Sequence, residues 1–281
     1  MAKLTKSEAK AHAQAIEMLA KERLTEDEKE FVFRNWHEGA NHINGSAGAF
    51  FTPYDMAFDF SFDVGGHRVI DLCAGIGMLS YAVHYRSRFG ERTADITCIE
   101  RNPDYVAVGK KLLPEATWIQ ADVLDVLDMG LGRFDYAISN PPFGNIKRER
   151  NAPRYSDRDF EFHVIDVAAH LADYGVFIVP QGSAGFNYSG KQFYERQKDG
   201  KAVKFQKLTG LHFDAGVGVD TAFYRDEWKG VSPLCEIVCV DFAEATKADD
   251  GDRVVQLPVA AIAQHANDNS PVQADLFGDA A

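Results

Sequence analysis

Cysteine, basic residues and long apolar runs are scarce in this sequence. Only four of its 281 residues are cysteines, and they lack the CxxC spacing and neighbouring histidines of a zinc site, so we expect small buried thiols and no metal centre. No apolar run approaches the roughly 20 residues that span a bilayer, and the first residues lack the apolar core of a signal peptide. We therefore expect a cytoplasmic protein without a membrane segment.

The charge balance of the chain is acidic. Its 42 Asp and Glu residues outnumber its 30 Lys and Arg residues, which gives a formal net charge of −12. Bulk charge of this sign excludes a protein that coats nucleic acid, so any binding to DNA needs local basic patches. The 46% apolar and 26% charged residues are ordinary globular values, and the length suits one large domain or two small ones.

Two helices are predicted near the N-terminus. Thr5-x-x-Glu8 and Thr25-x-x-Glu28 both have the form of a capping box, and apolar residues follow at helical spacing. One face of the first helix is predicted to pack against the core, and it carries Ala9, Ala13, Ile16 and Ala20. We assign residues 1–46 to an N-terminal helical extension.

From residue 67 onward, short β-rich runs alternate with helical stretches. The runs are HRVIDL, ADITCIE, ATWIQAD, FDYAISN and YGVFIVP, and their alternation with helices predicts a parallel sheet covered on both faces. Two later runs, at 202–211 and 233–242, are predicted to form a terminal antiparallel pair. The sequence thus predicts an α/β domain over residues 47–242, followed by an acidic tail over 243–281 that we expect to be flexible.

A glycine turn follows the first predicted strand. In the run Asp71-Leu-Cys-Ala-Gly75-Ile-Gly77 the missing side chains let the backbone approach a ligand at a helix N-terminus. A tight strand-to-helix turn is the plain structural alternative. Ser80 replaces the third glycine of the dinucleotide fingerprint, and Asp71 precedes Gly75 by four positions, which favours a nucleoside-containing cofactor other than a nicotinamide.

Acidic residues end the next two predicted strands. Glu100 lies where a carboxylate can accept hydrogen bonds from both ribose hydroxyls, and Asp122 could accept from an adenine amino group. Either residue alone could be a solvated strand end. Together, at the carboxyl ends of consecutive strands, they favour a cofactor site.

The most informative stretch is Asn140-Pro141-Pro142-Phe143-Gly144, which follows the fourth predicted strand. Two prolines fix the backbone, so the carbonyls of the turn are presented rigidly. Asn140 adds a side-chain acceptor, and Phe143 offers a flat face on which a base can stack. The combination suits an NH2 group, whose two protons need two acceptors.

This order of motifs resembles the class I S-adenosylmethionine-dependent methyltransferases, in the amino-methylating branch with an NPPF motif. The resemblance covers roughly residues 47–242 and implies a Rossmann-like, mostly parallel seven-stranded sheet with an antiparallel terminal strand. It also implies S-adenosylmethionine as cofactor. Its methionine part would lie over the glycine turn and its nucleoside against the strand-end acids; the matching residues are Asp71, Ala74, Gly75, Gly77, Glu100, Arg101, Asp122 and Val123.

Upstream of the glycine turn lies Gly48-Ala-Phe-Phe51-Thr52-Pro53. By its residues, Thr52 is predicted to cap a helix, with Pro53 in the first turn and Asp55 as capping partner. The stretch also resembles the F-x-T-P motif of DNA N6-adenine methyltransferases and of type I restriction modification subunits. There, residues matching Phe51, Thr52 and Pro53 close over the methionine end of the cofactor. A plain helix start is the alternative.

The resemblance implies direct methyl transfer to N6 of an adenine flipped out of DNA. The Asn140 side chain and the Pro141 carbonyl would accept the two N6 protons, and Phe143 would stack on the base. The turn lacks the Pro-Cys of cytosine-C5 methylation. RNA adenine or a protein glutamine is the alternative substrate, and a non-catalytic adaptor that binds DNA or the clamp is the alternative of another class.

Two basic stretches and a short tail motif complete the predictions. Residues 145–158 have a net charge of +3 and residues 191–207 of +4, and the residues predicted to contact DNA are Lys147, Arg148, Arg150, Arg154, Lys198 and Lys201. Tyr194 and Phe205 could stack on bases or simply pack. Eight acidic and two basic residues give 241–281 a net charge of −6, and Gln273-Ala-Asp-Leu276-Phe277 resembles the sliding-clamp-binding consensus of bacteria. A clamp partner would associate the protein with the nucleoid.

Overall fold

The computed structural model describes residues 4–37, 50–229 and 232–243. Gly48, Ala49 and the tail residues Gln273, Leu276 and Phe277 lie outside these ranges. Near the N-terminus the chain forms α1 (Lys6–Leu19) and α2 (Glu26–Asn35), and both predicted capping boxes are confirmed. In each, the threonine hydroxyl accepts from the backbone N–H of the glutamate, whose carboxylate accepts from the threonine N–H.

The predicted inward face of α1 is wrong. Ile16 is 47% exposed, whereas Ala15 is fully buried. The ring of His12 lies 6.0 Å from that of Trp36, so the helix turns its other side to the protein. The next helix is more deeply packed, because Val32, Phe33 and Trp36 are buried in the same apolar cluster as the sheet.

Five parallel strands and one antiparallel strand form the main sheet. They are β1 (Arg68–Leu72), β2 (Asp95–Glu100), β3 (Thr117–Gln120), β4 (Phe134–Ser139), β5 (Ala172–Pro180) and β8 (Cys235–Asp241), in the order β3-β2-β1-β4-β5-β8. Two short strands, β6 (Phe186–Asn187) and β7 (Glu195–Arg196), form a separate hairpin. The Rossmann-like class I methyltransferase fold is confirmed. Among the described residues the main sheet has six strands rather than the predicted seven.

Helices cover both faces of the sheet and bury two apolar clusters. The helices after α2 are α3 (Tyr54–Phe60), α4 (Met78–Ser87), α5 (Pro103–Leu112), α6 (Phe160–Ala169) and α7 (Lys201–Thr209). One cluster centres on residues such as Phe162 and Phe177, and the other contains Met56 and Val69. Because the strands are parallel, the carboxyl ends of β1 to β5 meet at one edge, where ligands bind in such sheets.

The predicted strand at 202–211 is a helix. Its buried side chains are Ala202, Phe205 and Thr209, a helical rather than an alternating spacing. Phe205 stacks on Phe162 with 4.5 Å between ring centroids, so it packs in the core. Because this run is not a strand, β8 pairs with β5 and not with the predicted partner, in antiparallel register. Within the described ranges, no helix has the length and apolar character needed to cross a membrane.

Candidate active site

A cleft opens at the carboxyl edge of the sheet, between the ends of β1, β2, β3 and β4. It encloses about 1070 Å³ of empty space, including its mouth. Eleven of the residues predicted from sequence line it, namely Phe51, Thr52, Asp71, Ala74, Gly75, Glu100, Arg101, Asp122, Val123, Asn140 and Pro142. Pro53, Gly77, Pro141 and Phe143 are adjacent in the chain to lining residues.

The glycine turn brings its backbone close to an aromatic ring of the F-x-T-P stretch. Gly75 has φ +59°, and a Cβ added there would lie 3.1 Å from the Phe51 ring. Gly77, with φ +87°, is the N-cap of α4. Cys73 adopts φ +66°, a conformation that non-glycine residues rarely adopt. The turn therefore holds main-chain atoms at the floor of the cleft, where side chains would fill the space.

Asp71 is a buried carboxylate with one oxygen left unpartnered. The Ser80 hydroxyl donates to Oδ2 at 2.6 Å, while Oδ1 is buried and has no hydrogen-bond partner among the described residues. Burial in this apolar setting raises the pKa of Asp71 to about 7. Because an unpaired buried carboxylate is costly, this oxygen is suited to a cationic or hydrogen-donating ligand group.

Glu100 is oriented by the backbone around it. Its Oε2 accepts from the Gly75 N–H at 2.9 Å, and its Oε1 accepts from the Asn102 N–H at 2.7 Å. Burial raises the pKa of Glu100, and the two backbone donors oppose that rise. Each carboxylate oxygen has a further lone pair, so the group can still accept from the two hydroxyls of a ribose.

Asp122 combines a capping role with exposure to the cleft. One carboxylate oxygen accepts from the Leu124 N–H at 3.0 Å, and the other lies 3.5 Å from the Arg101 guanidinium. Val123 is the first residue of the short helix that Asp122 caps. The three residues form the far wall of the cleft, opposite the turn that carries Asn140.

The side-chain amide of Asn140 is held at two points. Its Nδ2 donates to the Phe50 carbonyl at 2.8 Å and to the Thr52 hydroxyl at 3.0 Å. Both amide protons are thereby used, and Oδ1 accepts no hydrogen bond from the described residues. Since Asn140 lines the cleft, this fixed amide presents an acceptor to a ligand.

The predicted capping role of Thr52 is wrong. The N-cap of α3 is Pro53, and no side chain caps this helix. The Thr52 hydroxyl is turned to Asn140 instead, and Asp55 forms a bidentate ion pair with Arg34 of α2. Local sequence predicts a helix cap, but the residues that Thr52 and Asp55 bind instead are distant in the chain. Asn140 is 88 residues from Thr52, and Arg34 is 21 residues from Asp55.

The Asn140–Gly144 turn is anchored by Glu161, a residue that was not predicted from the sequence. Glu161 is fully buried at the start of α6 and accepts from the Gly144 N–H at 2.9 Å. It also accepts from the Ser183 hydroxyl at 2.6 Å and from the Lys201 ammonium at 3.0 Å. The sequence does carry a signal for it, because Glu161, like Asp166, is a charged residue in a helix whose other residues are mostly apolar.

Two more buried side chains of α6 hold the segment that follows the turn. His163 Nδ1 accepts from the Ala152 N–H at 3.0 Å, and its Nε2 lies 2.7 Å from the Asp157 carbonyl. The Asp166 carboxylate accepts from the backbone N–H groups of Arg154 and Tyr155 at 2.6 and 3.1 Å. Residues 145–158 are thus fastened to the core through their main chain.

Four of the six cations predicted to contact DNA are engaged within the protein. Two of them bind acids on or next to α6: Arg154 forms an ion pair with buried Asp166, and Lys201 forms ion pairs with Asp159 and Glu161. Arg150 forms ion pairs with Asp125 and Asp128. Arg148 donates hydrogen bonds to the Asn151 side chain and to backbone carbonyls. Lys147 and Lys198 are exposed and form no ion pair with the described residues. Lys147 lines a shallow depression formed by 145–151, beside the cleft.

The residues of the cleft fit S-adenosylmethionine. Asp71 offers an unpartnered acceptor at the glycine turn, where the methionine part with its ammonium group would lie. Gly75 lines the cleft without a side chain and has the Phe51 ring packed against it, so the backbone of the turn and this ring border the place for the methionine part. Glu100 and Asp122 supply acceptors for a ribose and for an adenine amino group.

Comparison with known proteins agrees with this geometry. Residues 60–154, which include β1 to β4 and the Asn140–Gly144 turn, match the family model described as methyltransferase small domain. A search of curated proteins found no match.

Several solved structures share the fold. A proposed class I S-adenosylmethionine-dependent methyltransferase from Listeria monocytogenes has a TM-score of 0.53 at 12% identity, covering 85% of this chain and 81% of that one. A modification subunit of a proposed type I restriction enzyme from Vibrio vulnificus has a TM-score of 0.52 at 13% identity, covering 80% and 51%. The chain thus spans about half the length of that subunit.

A third structure, a proposed RNA methyltransferase from Pyrococcus horikoshii, has a TM-score of 0.43 at 18% identity, covering 69% of this chain and 88% of that one. The structures with scores above 0.5 carry the fold comparison. The fold and the match to the methyltransferase small domain together support methyltransferase activity with S-adenosylmethionine as the methyl donor.

Proposed function

We propose that this protein methylates the N6 amino group of adenine in DNA. The observation that carries the proposal is the fixed amide of Asn140, whose two protons bind Phe50 and Thr52. An amino group needs two acceptors, and in this proposal they would be the Asn140 side-chain oxygen and the Pro141 carbonyl. Two prolines hold the turn rigid, so both acceptors stay in place as the reaction proceeds.

The residues of the chain act by positioning. Asp71, Glu100 and Asp122 would hold the cofactor, which supplies an electrophilic methyl group on sulfur when bound. Asn140 and the Pro141 carbonyl would accept from N6 and direct its lone pair toward that methyl group. Positive charge would develop on N6 as it takes up that methyl group, and the Asn140 oxygen and the Pro141 carbonyl would stabilise it until one N6 proton passes to solvent.

The link between the F-x-T-P stretch and Asn140 favours DNA over the alternative substrates. This stretch is the feature that resembles DNA N6-adenine methyltransferases, and here two of its residues fix the acceptor side chain. Phe143 would stack on an adenine flipped out of the duplex. The Phe143 ring lies edge-on to the Phe50 ring, with 6.4 Å between their centroids.

The test combines substrate identification with a variant of Asn140. The full chain is incubated with methyl-labelled S-adenosylmethionine and, separately, with DNA, RNA or ribosomal protein, and the product is identified by mass spectrometry. We expect N6-methyladenine in DNA, and Asn140→Ala should lose transfer while binding of S-adenosylhomocysteine largely survives. Methylation of RNA or of a protein glutamine in place of DNA, or full activity of Asn140→Ala, would contradict the proposal.

We further propose that Gln273, Leu276 and Phe277 bind the bacterial sliding clamp. These residues lie outside the described ranges, and the proposal rests on their likeness to the clamp-binding consensus. Beads coated with clamp should retain the full chain and should not retain the Leu276→Ala/Phe277→Ala variant. Equal retention of both proteins would show that the pentapeptide is not the anchor.

A further inference from the structure

A short hairpin is connected to the Asn140–Gly144 turn through a shared buried carboxylate. It consists of β6 and β7, and its pairing joins Phe186 to Arg196 and Asn187 to Glu195. Residues on both sides of it, Ser183 and Lys201, bind the same buried carboxylate, Glu161. That carboxylate also binds the N–H of Gly144. The root of the hairpin is therefore two hydrogen bonds away from the turn that carries Asn140.

Two adjacent aromatic side chains near the end of this hairpin are exposed. Phe193 is 75% exposed and Tyr194 is 46% exposed. The Tyr194 ring stacks on buried Phe186, with 5.3 Å between centroids and 28° between planes. Tyr194 is thus packed against the hairpin strands, whereas the Phe193 side chain is largely exposed to solvent. Phe193 and Tyr194 are adjacent exposed rings on a hairpin whose root binds the carboxylate that anchors the Asn140–Gly144 turn, and this combination, rather than exposure alone, indicates a role in binding.

Three cations, Lys191, Arg196 and Lys198, outnumber the two exposed acids Glu195 and Asp199 on the hairpin and directly after it, so the balance of charge favours a phosphate backbone. Lys191 and Lys198 flank the rings, are exposed, and meet no carboxylate of the described residues. Arg196 lies 3.8 Å from the exposed carboxylate of Asp214. Lys147, on the neighbouring segment after the turn, is likewise exposed. Aromatic faces set among cations are the combination that binds nucleic acid through stacking and phosphate contacts.

We propose that the β6–β7 hairpin binds duplex DNA, with Phe193 entering the base stack at the position that the target adenine leaves. This inference rests on the proposed function and names the form of its substrate. A base that leaves the stack exposes the faces of its neighbours, and an inserted phenyl ring covers them again. Lys191 and Lys198 would hold the adjoining phosphates. Phe193 is a positioning residue, since it keeps the base out of the helix and takes no part in methyl transfer.

The experiment compares Phe193→Ala with the unaltered full chain on two substrates of one sequence, a duplex and its single strand. Single-strand methylation needs no flipping, so only the duplex reaction should depend on Phe193. We expect the single-turnover rate on the duplex to fall at least about tenfold, within the range that base–aromatic stacking supplies. The rate on the single strand should change less than about twofold, since the stacking interaction is not used there.

Phe89→Ala is the matched control. Phe89 is 77% exposed, nearly the same as Phe193. It follows the C-terminus of α4, near the amino ends of the strands and away from the cleft at their carboxyl ends. This variant should keep both rates. A second readout uses a duplex with 2-aminopurine at the target position, whose fluorescence should rise on binding the unaltered chain and rise less with Phe193→Ala.

Each outcome separates the two proposals. Equal losses on duplex and single strand, or no loss on either, would overturn the role of the hairpin and leave the proposed function standing. If the unaltered chain methylates neither DNA, the proposed function fails and the hairpin proposal falls with it. A duplex-specific loss together with weaker 2-aminopurine fluorescence supports both.

Discussion

The side-chain amide of Asn140 donates a hydrogen bond to the hydroxyl of Thr52 across 3.0 Å, although 88 residues separate them in the chain. This contact joins the stretch before β1 to the turn after β4. With the bond to the Phe50 carbonyl, it decides which atom of the Asn140 amide faces the cleft. In the proposed reaction Thr52 would therefore act through Asn140.

Replacing Thr52 by valine should slow methyl transfer without unfolding the protein. Valine keeps the shape of threonine but removes the acceptor of one Asn140 proton, so the amide can rotate away from its productive orientation. We expect the single-turnover rate to fall about tenfold to a hundredfold, as expected for a small misplacement of a positioning group. Thr52→Ser keeps the hydroxyl and should retain most of the rate. Equal rates in the two variants would show that the hydroxyl does not orient Asn140.

Asp71→Asn should weaken cofactor binding and stabilise the cofactor-free fold at pH 8. Burial raises the pKa of Asp71 to about 7, so the native carboxyl holds its proton at pH values where the unfolded chain has lost it. The contribution of this group to stability therefore falls as pH rises from about 4 to 7. An uncharged asparagine avoids that loss, and we expect a gain of about 1–3 kcal/mol in unfolding free energy at pH 8.

The same titration predicts how cofactor affinity depends on pH. Only the ionised carboxylate attracts a cationic ammonium group, so affinity for S-adenosylhomocysteine should rise with pH up to about 7 and then level off. Below that value the change should approach about tenfold per pH unit. Calorimetric titration of the unaltered chain and of Asp71→Asn measures both affinities. A variant that binds as tightly as the parent at pH 8 would remove Asp71 from the site.

Gly109→Ala should destabilise the protein, although alanine favours helices. A Cβ at this position of α5 would collide with the Trp118 ring, which is held by the hydrogen bond from its indole N–H to the Leu113 carbonyl. Overpacking of this kind costs about 1–3 kcal/mol, more than the helix propensity that alanine gains. We expect a net loss of about 1–2 kcal/mol in denaturant unfolding. Gly182→Ala, with no atom within 4 Å of its added Cβ, should change stability little.

The segment after the Asn140–Gly144 turn should loosen in acid. The Ala152 N–H donates to His163 Nδ1, which requires the neutral ring, and burial lowers the pKa of His163. Its contribution to stability is complete above about pH 6.5 and is lost as the pH falls toward the lowered value. Hydrogen exchange at the Ala152 amide, corrected for intrinsic rate, should speed up by as much as about tenfold per pH unit in this range. His163→Asn should abolish that pH dependence.

Local patterns in the sequence predicted much of the fold. The capping boxes of α1 and α2 depend on residues three positions apart, and the five parallel strands have compact β-rich runs. The positions of Asp71, Glu100 and Asp122 follow from those strands, since each lies at or near a strand end. Residues that line the cleft can therefore be predicted from short-range sequence patterns.

The errors arose where distant partners compete with local preference. Residues 202–211 contain β-branched and aromatic residues, but Ala202 and Phe205 share a helix face that the core of α6 covers. Threonine is a common N-cap residue, but in the folded chain the Thr52 hydroxyl accepts a hydrogen bond from the Asn140 amide instead. Lys201 and Arg154 resemble a basic surface in the sequence, whereas buried carboxylates of α6 bind them.

The way in which α6 holds the segment after the turn has a consequence for evolution and engineering. Glu161, His163 and Asp166 bind this segment mainly through main-chain N–H groups, which every residue except proline possesses. Side chains between the anchored positions, such as Lys147 and Glu149, can therefore be exchanged while the turn keeps its place. A library of substitutions there could change the preferred target without rebuilding the catalytic site.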